Sequence, residues 1–181
     1  THPLLDWCGD GRMILMTVHR RESIGKPLRQ ILRAAADIVR DHPNVRLILP
    51  VHLNPDVANP IHELLGDLPG VRLTDPLPPE VFQNLLARAF LVMTDSGSVQ
   101  EEAMALGRPT LVLRDCTERP EGSATGGLWL TGRSRNAVRK AAHQILSDPV
   151  LWTRMHSVSS PYGDGHAAER IADILEHGVT S

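Results

Sequence analysis

Compact apolar runs alternate along the chain with segments in which apolar residues recur every three or four positions. Residues 12–18, 45–51, 71–74, 90–94, 110–113 and 128–131 form the compact runs, each bounded by polar or turn residues. Runs that are apolar on successive positions predict strands covered on both faces. Between the first two, Leu28, Ile31, Leu32, Ala35, Ile38 and Val39 give residues 27–40 a helical period. Shorter helices are predicted over 61–65, 80–88 and 99–106, the last stopped by Gly107. Helices over 136–146, 150–155 and 167–177 close the chain. Strands alternating with helices imply right-handed crossovers and a parallel sheet. The predicted architecture is α/β: a doubly wound, Rossmann-like layer, with no repeat or linker to divide residues 1–181.

In such sheets ligands gather beyond the carboxyl ends of the strands. Polar groups follow nearly every predicted strand: His19-Arg20-Arg21-Glu22, His52, Asp75, Asp95-Ser96-Gly97 and Arg114-Asp115. One rim of the sheet is therefore chemically equipped.

The turn after the fourth strand has the sharpest mechanism. Ser96, Gly97 and Ser98 would present backbone N–H groups at a helix start, where orphan donors and the helix dipole favour an anion such as a phosphate. Gly97 is expected to permit a tight turn and close approach of the ligand. Ser98-Val99-Gln100-Glu101 also reads as a capping box, and the two readings are compatible. Glu102, one position further round, suits paired ribose hydroxyls as an acceptor. Arg119 has the planar fork that matches phosphate oxygens, although a solvated surface arginine is the plainer reading. His19, beside two arginines, suits a phosphate contact or proton transfer. An isolated histidine such as His52 is ordinarily a satisfied core or surface group. No G-x-G-x-x-G follows the first strand and no Walker motif is present, so the phosphate turn is not a dinucleotide fingerprint.

Composition narrows the partners. Of 181 residues, 41% are hydrophobic and 22% charged, and the formal net charge is −2. No basic field is available to attract nucleic acid or an anionic membrane. The nine histidines and two cysteines show no metal-type spacing, so no metal and no cofactor is expected. Two separate cysteines and no apolar span fit a reducing, cytoplasmic setting. The chain begins at Thr1 rather than Met, as expected of one piece of a longer protein.

Five ordered segments carry a resemblance. They are Thr17 to Ser23, Pro50 to Pro55, Thr94 to Ala103, Arg114 to Glu121 and Pro161 to Gly165. Together they resemble the UDP-N-acetylglucosamine 2-epimerases, above all the bacterial non-hydrolysing type, from about Arg12 onward. The resemblance implies the carboxyl-terminal, nucleotide-binding half of a type-B glycosyltransferase fold, often dimeric when intact. It implies UDP and UDP-N-acetylglucosamine as ligands, and elimination and re-addition of UDP through a glycal intermediate. His19 matches the catalytic histidine, and Ser96, Gly97 and Ser98 the diphosphate turn. Glu102 matches the ribose ligand, Arg119 a phosphate contact, and Phe82 and Leu77 the uracil pocket. Arg20 and His52 match a second, regulatory UDP-sugar site. Ser98 departs from the family's usual second glycine, and Val18 from a smaller residue. The family's catalytic carboxylates lie in an amino-terminal half that nothing here matches. Hydrolysing epimerases, type-B glycosyltransferases and a non-catalytic UDP-sugar module share much of this pattern.

Overall fold

The computed structural model describes residues 2–177. Six strands form one sheet: β1 (Arg12–Thr17), β2 (Val45–Pro50), β3 (Val71–Thr74), β4 (Leu91–Thr94), β5 (Thr110–Val112) and β6 (Leu128–Leu130). Their order is β3-β2-β1-β4-β5-β6, and every neighbouring pair is parallel. This is a doubly wound order, which reverses between β1 and β4.

The helices are α1 (Pro3–Cys8), α2 (Lys26–Asp41), α3 (Pro55–Leu65), α4 (Pro79–Leu86), α5 (Gly97–Ala105), α6 (Pro120–Thr125), α7 (Arg135–Ser147), α8 (Pro149–His156) and α9 (Ala167–His177). A single 3-10 turn, Arg21–Ser23, follows β1. Alternation along the strands divides them between two layers. Ile14 and Met16 pack with Leu47, Leu49, Leu91 and Met93 under α2, α3, α7 and α8. Met13 and Leu15 face the other way, with Ile48 and Val92, under α1, α4 and α5. Both faces of the central strands are therefore dry, which is why they read as unbroken apolar runs.

The structure extends the sequence expectations at three places. Helix α3 begins at Pro55 rather than residue 61, because Asn54 accepts a hydrogen bond from the Asp56 N–H and Pro55 fits the first helical position. Helices α1 and α6 were not expected; each has six residues, too few to show a period. Gly107 ends α5 as expected. Its φ is +63°, and a Cβ there would lie 2.9 Å from the His156 carbonyl oxygen.

Helix α9 differs from the rest. None of its residues is buried, and Ile171, Ile174 and Leu175 are exposed on it. No helix among the described residues is long and apolar enough to cross a membrane.

Candidate anion cradle at the strand-order reversal

The site is built where β1 and β4 run side by side, Thr17 against Thr94. Their hydroxyls lie 2.6 Å apart, and Thr94 Oγ1 also accepts from the Ser96 N–H at 3.0 Å. One residue on, Asp95 is completely buried. Its carboxylate accepts from the N–H of His19 at 3.1 Å, the N–H of Arg20 at 3.0 Å and the Ser23 hydroxyl at 3.1 Å. A buried carboxylate must be compensated in this way. Asp95 thereby clamps the whole loop that follows β1 against the turn that follows β4.

His19 Nδ1 stands 3.5 Å from the same carboxylate, and the His19 side chain is 41% exposed. The ring is thus oriented from behind while its other edge meets solvent. His52 stacks on it at 6.0 Å between ring centroids and 13° between planes. His52 Nδ1 accepts from the Asn54 N–H at 3.1 Å, which leaves Nε2 to carry the proton of the neutral ring. His52 is therefore no isolated histidine. It borders a cavity of about 550 Å³ lined also by Leu53, His62, Thr74 and Asp75.

Ser96 is the N-cap of α5, and no side chain caps it. The first N–H groups of the helix are accordingly open. Ser96 Oγ and Ser98 Oγ lie 3.1 Å apart beside them. Two expectations need correction. The capping box fails because α5 starts at Gly97, before Ser98, and Glu101 instead pairs with Arg119 Nε. Nor is Gly97 required by a left-handed φ. A Cβ there would lie 3.1 Å from Glu118 Oε1 and 3.7 Å from Arg20 Nη2, a close approach that a small shift of the Glu118 side chain would relieve.

Around the cradle runs an ionic network that the sequence reading missed. Arg20 Nη2 pairs with Glu118 Oε1 at 2.9 Å. Arg114, 8% exposed, pairs with Glu118 Oε2 and, at 2.9 Å, with Glu22. Burial alone would push the Arg114 pKa down, but the two carboxylates outweigh it and raise it. Glu118 is held below the usual carboxylate range, first by its backbone hydrogen bond and then, against partial burial, by Arg114 and Arg20. Only the polarity of each strand end hinted at this network; Arg20 and Glu118 are 98 positions apart.

The remaining residues fall on two sides of α5. Glu102 accepts from Gln83 Nε2 on α4, next to Phe82, which packs with Leu77 against the second apolar cluster. A carboxylate beside an apolar wall suits a nucleoside. Arg119 lies on the α6 side. Its N–H donates to Thr117 Oγ1 at 3.0 Å, and that hydroxyl donates to Oε1 of buried Gln100 at 2.8 Å. Tyr162 accepts from the Gly122 N–H at 3.0 Å, fixing α6 from the far side. The structure thus brings His19, Arg20, His52, Ser96, Gly97 and Ser98 together. It sets Leu77, Phe82 and Glu102 along one flank, and holds Arg119 to Glu101 on the other.

Comparison with known proteins identifies the chain's relatives. The family model for UDP-N-acetylglucosamine 2-epimerase matches residues 2–176. The chain is 45% identical over 175 residues to the Bacillus subtilis UDP-N-acetylglucosamine 2-epimerase, covering 97% of this chain and 46% of that protein. With the Escherichia coli K12 enzyme it shares 41% identity over 180 residues, 47% of that protein. The S. aureus MnaA–UDP structure superposes with a TM-score of 0.95 at 37% identity, over 100% of this chain and 50% of that one. The Neisseria meningitidis enzyme bound to UDP-GlcNAc superposes at 0.89 with 36% identity, over 92% of this chain and 45% of that one. The chain spans about half the length of the relatives it matches, corresponding to their carboxyl-terminal half. On sequence and on structure alike, this chain belongs to the UDP-N-acetylglucosamine 2-epimerase family.

Proposed function

We propose that the chain is the nucleotide-holding half of a non-hydrolysing UDP-N-acetylglucosamine 2-epimerase. The observation that carries this reading is the buried Asp95 clamp. It sets the His19 loop and the open N-terminus of α5 face to face where the strand order reverses. Ser96, Gly97 and Ser98 hold the diphosphate through backbone N–H groups and hydroxyls. Glu102 takes the ribose, and Phe82 and Leu77 flank the uracil. Arg119 leaves Glu101 for a phosphate oxygen, a bidentate partner of greater charge.

The reaction breaks the bond between the sugar's first carbon and the diphosphate. It also removes the proton on the second carbon, giving a glycal and UDP; UDP then returns to the first carbon, a proton is delivered to the opposite face of the second, and the mannosamine epimer results. Developing charge on the departing diphosphate needs positioned donors, which the α5 terminus supplies and Arg119 completes once it has left Glu101. His19, oriented by Asp95 and open at its other edge, holds or gives a proton at the leaving group. The base that acts on the sugar belongs to the other half of the parent protein. The exposed Ile171, Ile174 and Leu175 of α9 offer that half an apolar contact.

Incubating the full-length parent with UDP-N-acetylglucosamine is the test. The mannosamine epimer still attached to UDP is expected. Free N-acetylmannosamine plus UDP would mean the hydrolysing type. Transfer to an added acceptor without epimerisation would mean a glycosyltransferase, and the proposal would be lost.

A further inference from the structure

We propose that the Glu118 carboxylate is a resident anion of the cradle, which the incoming diphosphate must displace. This rests on the nucleotide reading above and adds a competitor to it. Three observations converge on Glu118. Its Oε1 stands 3.1 Å from the point a Gly97 Cβ would occupy, beside the first residue of α5. The same oxygen accepts from Arg20 Nη2 at 2.9 Å, while Oε2 pairs with buried Arg114. A carboxylate held by two guanidinium groups beside an uncapped helix N-terminus is in the electrostatic position of a phosphate. Two anions cannot share that position without repulsion.

The surroundings allow an exchange. The Glu118 side chain is 39% exposed, so it has solvent to swing into. Arg114 keeps a second carboxylate, Glu22, when Glu118 departs. Arg20 has no other carboxylate partner among the described residues and is released to the ligand. Glu118 thus keeps the arginines ordered in the free protein, and lowers nucleotide affinity by the fraction of molecules in which it fills the cradle.

The test is calorimetric titration of the chain with UDP, and with inorganic pyrophosphate, for the parent sequence, Glu118→Gln and Glu22→Gln. Removing a competitor that fills the cradle in nine molecules of ten would tighten binding about 10-fold. Glu118→Gln is expected to do so for both ligands. Glu22→Gln removes a carboxylate from the same network without vacating the cradle, and is expected to leave affinity within about 2-fold. Should Glu118→Gln fail to melt cooperatively, Glu118→Ser gives the same readout. Unchanged or weaker UDP binding by the Glu118 variants, with the parent binding normally, would overturn the proposal. Equal tightening by Glu22→Gln would overturn it too, since net charge would then explain the gain. Binding by none of the proteins would refute the nucleotide reading itself, and this inference with it.

Discussion

Asp95 satisfies donors from three different residues while completely buried, and none of them has an alternative partner among the described residues. Asp95→Ala would leave these groups unpaired, at about 1–3 kcal/mol for each donor that water cannot reach. The expected result is a large drop in the denaturant midpoint together with loss of nucleotide binding. A midpoint close to that of the parent would show that the clamp is dispensable. Arg119 makes the opposite prediction. Its ion pair with Glu101 is half-exposed and contributes little to stability. Arg119→Ala should weaken UDP binding by about 1.5–3 kcal/mol, the range for a hydrogen bond to a charged group, with little change in midpoint. An unchanged dissociation constant would remove it from the site. These residues differed in how far the sequence disclosed them. The open helix start at Ser96-Gly97-Ser98 was legible because a serine- and glycine-bearing turn between a strand and a helix is a local pattern. Glu118 and Arg114 were not, because their partners Arg20 and Glu22 come from a loop more than 90 positions away.

Among the elements, the seam between α2 and α7 is held by a row of contacts one helical turn apart. Arg135 pairs with Asp37, Arg139 with Asp41, and His143 lies 3.2 Å from His42. Asp37 is held below the usual carboxylate range, chiefly by its hydrogen bond to Arg135, against partial burial. A carboxyl whose folded pKa is depressed stabilises the protein above its unfolded pKa, near 4. That contribution disappears as pH falls through the lower folded value. Arg135→Met should therefore lower the urea midpoint at pH 7, and the gap from the parent should close in acid below pH 4. A gap that is constant with pH would mean lost packing instead. At this scale the long elements were readable, since α2 and α7 repeat apolar residues over several turns. Helices α1 and α6 were not, because six residues are too few to repeat an apolar position over several turns.

For the molecule as a whole, the doubly wound order was implied by the alternation of strand and helix, and the structure adds where it reverses. On the proposed function the chain alone should bind UDP and epimerise nothing, because that reading assigns the base for the sugar's second carbon to the other half of the parent protein. Binding to the folded state alone should raise stability by about 2.7 kcal/mol at a hundredfold excess over the dissociation constant. A thermal scan with and without UDP checks this, and an unmoved transition would count against the nucleotide role.

The pairing of β1 with β4 has a further consequence, for how the protein is made. The threonines that meet at the cradle are 77 positions apart, with β2, β3 and their helices wound between them. Contacts of such sequence separation close a long loop, and the entropy of that closure must be met before the contact rewards it. A chain whose outer βα units have formed but whose middle has not zipped has no cradle at all. Retention on an immobilised nucleotide would therefore sort molecules with a closed centre from those without one, and the ligand would serve as an inspector of the sheet's central seam.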